Sequence, residues 1–130
     1  MNQLQKNILI YTGKYGGIKM FIGFDRKDAT LVVTLVGELD HHSSEIVRIK
    51  VDNKIEELGS QNIIFDFNGV NFMDSSGIGV VMGRYKKLSS TGGKACVVNL
   101  KSQIKRVFEL SGLFKIIPEY KDIQEAVSSL

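Results

Sequence analysis

The sequence predicts an α/β fold: a single domain built on a mixed, mostly parallel β-sheet with packed helices. Three observations carry this expectation. Short β-branched or apolar runs alternate with segments whose apolar residues recur every three or four positions. The first two runs are joined by a polar turn, as in a hairpin. Each later pair is bridged by a helical segment, the crossover that parallel strands require. The chain has 130 residues, 43% hydrophobic and 24% charged, enough for one core and too few for a second domain.

Taken in order, Met20 to Phe24 and Leu31 to Val36 form the hairpin around the turn Asp25 to Asp28, and Gly37-Glu38-Leu39-Asp40 closes its second strand. Ser43-Ser44 offers an N-cap to a helix in which Val47, Val51, Ile55 and Leu58 share a face, stopped at Gly59. Asn62 to Phe67 is the next strand, and its unbroken Ile63-Ile64-Phe65 predicts that both sheet faces are covered there. Asp74-Ser75-Ser76-Gly77 opens a second helix, with Ile78, Val81, Tyr85 and Leu88 inward and an end near Gly92-Gly93. Gly79 and Gly83 each cost this helix about 1 kcal/mol relative to alanine, which predicts close packing against the sheet or a partner. Lys94 to Leu100 is a strand, Ser102 to Ser111 a helix with Ile104, Val107 and Phe108 inward, and Phe114 to Ile117 a short closing strand. After Pro118, the spacing of Ile123, Ala126, Val127 and Leu130 gives a last short helix.

Residues 1–19 are expected to be a flexible N-terminal extension and 20–130 the domain, because the first 18 residues show no sustained period and contain Gly13, Gly16 and Gly17. Gly16-Gly17 can also be encoded by a ribosome-binding sequence at suitable spacing before Met20, so translation is expected to start naturally at Met20. The extension also accounts for the net charge of +3, since it carries Lys6, Lys14 and Lys19 and no acid. The remainder is neutral, which argues against direct nucleic-acid binding. Ile8 to Tyr11 is too short for an export signal, and no stretch approaches the length of a membrane span, so the expected location is cytoplasmic, without membrane contact. Cys96 has no partner in the chain, and among Ala95, Val97 and Val98 it reads as a small core residue.

Chemistry has few candidates. Ser75 or Ser76 with His41 or His42 could build a nucleophilic hydrolase, but the strand-to-helix elbow needs Gly-x-Ser-x-Gly, and Met73 and Asp74 stand where its first glycine belongs. The adjacent histidines have no further ligands at metal-binding spacing, so no metal is expected. Gly77, Gly79 and Gly83 make neither a Walker loop nor a dinucleotide fingerprint, so no cofactor is expected. Asp74-Ser75-Ser76 at a helix entrance remains, and two readings stand open. One serine can cap the helix, or one can accept a phosphate that the positive helix end tolerates.

Three segments resemble the STAS-domain anti-sigma factor antagonists: Gly37-Glu38-Leu39-Asp40-His41-His42, Phe72-Met73-Asp74-Ser75-Ser76-Gly77-Ile78-Gly79 and Ser111-Gly112-Leu113-Phe114-Lys115-Ile116-Ile117. Together with Gly83-Arg84-Tyr85-Lys86 they spread the resemblance over about residues 20 to 117. The resemblance implies a regulator without enzymatic activity. Its unphosphorylated form would bind an anti-sigma factor that is also a serine kinase and release a sporulation sigma factor. Phosphorylation of Ser75 would inactivate it and a serine phosphatase would restore it. The alternative within the family is a regulator of a general-stress sigma factor. The expected partner surface is Asp40, His41, His42, Asp74, Ser75, Ser76 and Gly77, with Asp40 and His42 as exposed polar residues whose replacement leaves stability nearly unchanged. Residues 1–19 have no counterpart in the family pattern and the tail after Pro118 diverges from it, so neither region takes a role from the resemblance.

Overall fold

The computed structural model describes residues 7–12, as backbone, and 15–130. The elements run β1 (Asn7–Thr12), β2 (Ile18–Lys27), β3 (Thr30–Leu39), α1 (His41–Leu58), β4 (Asn62–Met73), α2 (Ser75–Ser89), β5 (Ala95–Val98), α3 (Ser102–Ser111), a 3-10 turn (Leu113–Lys115), β6 (Glu119–Tyr120) and α4 (Ile123–Ser129). The strands form one six-stranded sheet in the order β1-β2-β3-β4-β5-β6. β1 and β2, and β2 and β3, pair antiparallel, and every later pair is parallel. The expected mixed, mostly parallel α/β architecture is therefore present.

Side-chain alternation divides the interior into two layers. Leu31, Val33 and Leu35 of β3, Ile63, Phe65 and Phe67 of β4, and Ala95 and Val97 of β5 join the large core with Val47, Val51, Val81, Ile104 and Phe108 of α1, α2 and α3. The intervening Val32, Ile64, Cys96 and Val98 face the other way and are covered by Ala126 of α4, with Ile123, Leu130 and Tyr120 around it. Both faces of the Ile63-Ile64-Phe65 run are thus buried, as its lack of alternation implies. Cys96 is fully buried, and burial pushes its thiol up to about 12, so it packs as a hydrophobe. In the larger layer Phe67 meets Phe108 edge-on at 5.4 Å and Phe108 stacks on Phe114 at 5.6 Å, which fixes α3 over the C-terminal half of the sheet. Arg84 of α2 is nearly buried and reaches Asp52 of α1 at 2.9 Å while donating to the Val80 carbonyl at 3.2 Å, so an ion pair locks the two helices side by side.

Four local expectations change. Regular structure begins before Met20: Asn7–Thr12 pair with β2 from Asn7 opposite Phe24 to Thr12 opposite Ile18, and β2 itself starts at Ile18. Of the expected flexible extension, residues 1–6 and 13–14 lie outside the described residues. The expected strand Phe114–Ile117 is instead mostly a 3-10 turn, because Gly112 at φ 77 reverses the chain and the Ser111 hydroxyl accepts from the Leu113 amide at 3.1 Å. The closing strand forms after Pro118, whose carbonyl accepts from the Val97 amide at 3.1 Å. Gly79 and Gly83 have open space where a Cβ would stand, so neither marks close packing of α2 on the sheet. That contact is made by Gly77, where a Cβ would sit 2.4 Å from the Met73 Cγ and 3.0 Å from a Leu39 methyl.

Candidate functional site

Adjacent parallel strands end in register here, with Leu39 opposite Met73, and each is followed by one aspartate and then a helix. Asp40 caps α1 and Asp74 caps α2, both in extended backbone. The Asp74 amide donates to the Leu39 carbonyl at 3.3 Å, which ties the two caps together. Parallel strands deliver both helix N-termini to the same sheet edge, the place where open α/β folds carry their sites. Two positive helix ends therefore lie side by side.

The first corner is closed. Asp40 forms a capping box with Ser43: the Ser43 amide donates to Asp40 Oδ1 at 3.0 Å, and the Asp40 amide donates to Ser43 Oγ at 3.0 Å. The Ser43 hydroxyl is buried and also donates to the Glu38 carbonyl at 2.6 Å. Lys19 of β2 reaches across to Asp40 Oδ2 at 2.9 Å and to Glu38 Oε1 at 3.2 Å. Burial alone would push the Asp40 carboxyl up, but the bonds from Ser43 and the Lys19 ammonium outweigh it and hold the group at about 2. The same two acids raise the Lys19 ammonium, Asp40 more than Glu38. Asp40 is consequently not a free surface carboxylate. Its side chain is 21% exposed and belongs to the helix cap, so its replacement costs stability, contrary to the expectation for an exposed polar residue. The cap is Asp40, not Ser43 or Ser44, because the Asp40 carboxylate reaches the Ser43 amide three positions on. His41 and His42 accordingly stand in the first turn of α1, exposed, with their rings in edge contact at 5.6 Å.

The second corner is open. Asp74 Oδ1 accepts from the Ser76 amide at 2.8 Å, so the aspartate caps α2 and neither serine does. Ser75 is the first residue of the helix and exposed, and its hydroxyl has no hydrogen-bond partner among the described residues. Ser76 is half-buried, and Gly77 is buried under Met73 and Leu39. Of the two serines, Ser75 is the more exposed. Along α2, Ser75, Gly79 and Gly83 follow at intervals of four, so they share one face, and open space stands over both glycines.

All seven residues expected in the partner surface thus fall on these two adjoining corners, although Asp40 and Gly77 act first as structure. Sequence reasoning missed Lys19 and took Ser43 for the cap itself rather than the partner of Asp40 in the capping box. The Asp-x-x-Ser spacing from 40 to 43 was a legible capping signal, whereas Lys19 is brought in only by the β2–β3 pairing.

The STAS domain model matches residues 22–126. The chain is 38% identical over 109 residues to the anti-sigma F factor antagonist of Paenibacillus polymyxa, which covers 84% of this chain and 93% of that protein. It is 33% identical over 85 residues to the anti-sigma-B factor antagonist of Bacillus subtilis, covering 65% of this chain and 76% of that protein. The structure of the anti-sigma factor antagonist SpoIIAA in its unphosphorylated form superposes with a TM-score of 0.73 at 33% identity, over 83% of this chain and 94% of that one. The Bacillus SpoIIAA in its phosphorylated form gives 0.66 at the same 33%, over 83% and 97%. With the family model spanning most of the chain and the fold matching the solved relatives over most of their length, this protein belongs to the STAS domain family.

Proposed function

We propose that the protein is an anti-sigma factor antagonist switched by phosphorylation of Ser75. In this reading the unphosphorylated form binds an anti-sigma factor that is a serine kinase, through Asp40, His41, His42, Asp74, Ser75, Ser76 and Gly77, and so frees a sporulation sigma factor. A serine phosphatase reverses the modification. The protein acts in the cytoplasm as a regulator and catalyses no reaction itself. No helix among the described residues is long and apolar enough to cross a membrane.

The observation that carries the proposal is the contrast between exposed Ser75 and its anchored neighbours. A phosphate there adds a charge of roughly −1.5 to −2 at a positive helix end, which tolerates it without loss of fold. The same charge in a closely packed interface must be desolvated, which opposes the complex. The relatives named as antagonists of anti-sigma F and the paired SpoIIAA structures, with and without phosphate, support this reading. The similarity to the anti-sigma-B antagonist favours a second reading in which the partner belongs to a general-stress pathway.

The test is incubation with ATP and each of the host's anti-sigma factor kinases, read by intact mass. The expected result is gain of one phosphate with the sporulation kinase, lost in Ser75→Ala and retained in Ser76→Ala. Modification of Ser75→Ala to full stoichiometry would overturn the assignment, and a gain only with the stress kinase would select the second reading.

A further inference from the structure

Lys19 stands at the edge of this surface with no role in the reading above. Its ammonium lies 2.9 Å from Asp40 and 3.2 Å from Glu38, and its side chain is 33% exposed. Asp40 spends Oδ1 on the Ser43 amide at 3.0 Å, and Oδ2 is matched by Lys19 alone. Asp74 lies beside Asp40 through the in-register ends of β3 and β4. The corner therefore holds the acids Glu38, Asp40 and Asp74, and among the described residues Lys19 is the one cation paired with any of them.

We propose that Lys19 is a specificity-determining residue of the partner surface: it offsets part of the acidic charge at the twin caps and thereby weakens their attraction for a basic partner face. The inference rests on the antagonist reading for the identity of the partner. Glu38, Asp40 and Asp74 outnumber Lys19 among the charged side chains of the corner, so a complementary partner face carries basic side chains, and charge complementarity of this kind sets encounter rate and discrimination between competing partners. Removing the ammonium deepens the acidic potential and releases Asp40 Oδ2 to accept from the partner. The capping box is untouched by the change, because it uses Oδ1 and Ser43.

The experiment measures binding of full-length Lys19→Met, Lys19→Arg and unsubstituted protein to the host's sporulation anti-sigma factor, at about 0.05 M and about 0.5 M salt, where screening lengths differ severalfold. Lys19→Met is expected to bind about three- to tenfold more tightly at low salt, with the advantage lost at high salt. Lys19→Arg keeps the charge and is expected to follow the unsubstituted protein. Glu38→Gln is expected to do the reverse of Lys19→Met, weakening the complex and flattening its salt dependence. Equal or weaker binding by Lys19→Met at low salt overturns the inference about Lys19 while leaving the antagonist reading intact. Failure of the unsubstituted protein to form any complex overturns that reading and this inference with it.

Discussion

The β3–α1 and β4–α2 corners are built to one plan and finished differently. Each strand ends in an aspartate that caps the next helix, yet Asp40 has both carboxylate oxygens engaged while Asp74 makes a single side-chain bond, to the Ser76 amide. Behind Asp40 stands buried Ser43, and behind Asp74 stands exposed Ser75. The difference teaches that one serine has been drawn into the cap and the other left outside it. A hydroxyl that anchors a helix cannot also be surrendered to a kinase, so under the proposed function the division of labour between neighbouring corners would let Ser75 be modified without unfolding.

The sharpest way to break the comparison is through the glycines that let each corner close. A Cβ on Gly37 would sit 2.2 Å from the Lys19 carbonyl oxygen, and φ there is 130°, whereas a Cβ on Gly77 meets the flexible Met73 side chain. Gly37→Ala should therefore destabilise by about 3 kcal/mol or more and Gly77→Ala by about 1 to 2 kcal/mol, read by denaturant unfolding. Equal losses would mean that the closed corner is no more rigid than the open one.

The caps come next. Asp40→Ala should cost about 2 kcal/mol and Asp74→Ala about 1 kcal/mol at neutral pH. Acid titration probes the Asp40 cap further. The folded Asp40 carboxyl lies at about 2 against 3.8 for the free group, so across that interval the unfolded chain binds more protons. Its contribution is complete above 3.8 and disappears as pH falls towards about 2. Asp40→Asn should flatten the stability profile in that window. A chain starting at Met20 lacks β1 and Lys19 and should lose about 1 kcal/mol or more, with the loss concentrated at the closed corner. The smallest effect belongs to Ser75→Ala, within about 0.5 kcal/mol by thermal melting, because the hydroxyl anchors nothing.

Much of this arrangement was legible in the residues. The hairpin, the doubly buried Ile63-Ile64-Phe65 strand and the helix after Asp74 follow from periodicity, because burial on one or two faces writes itself into apolar spacing. The candidate serine was legible only through the family resemblance, because Asp-Ser-Ser-Gly at a helix entrance by itself left capping and phosphate acceptance both open. What stayed hidden depended on partners distant in sequence or on competition between similar residues. Asp40, Ser43 and Ser44 are all good capping types, and geometry alone decides that the carboxylate wins. β1 lacks a readable pattern and becomes a strand by pairing with β2. Phe114 and Ile117 look like a strand, yet both pack inward from a turn that Gly112 and Ser111 impose. Lys19 has no motif around it, and its meaning exists only opposite Glu38 and Asp40.

The strictly sequential order of the sheet also bears on how the chain is made. Each strand finds its edge already waiting when it leaves the ribosome, so assembly can advance from the N-terminus by adding one neighbour at a time, with short loop closures throughout. The exception is the second layer, where Val32, Ile64, Cys96 and Val98 have no lid until α4, the last element, is released. A nascent chain halted before Ile123 would hold its capped corners in place while exposing an apolar stripe, the surface that chaperones seize.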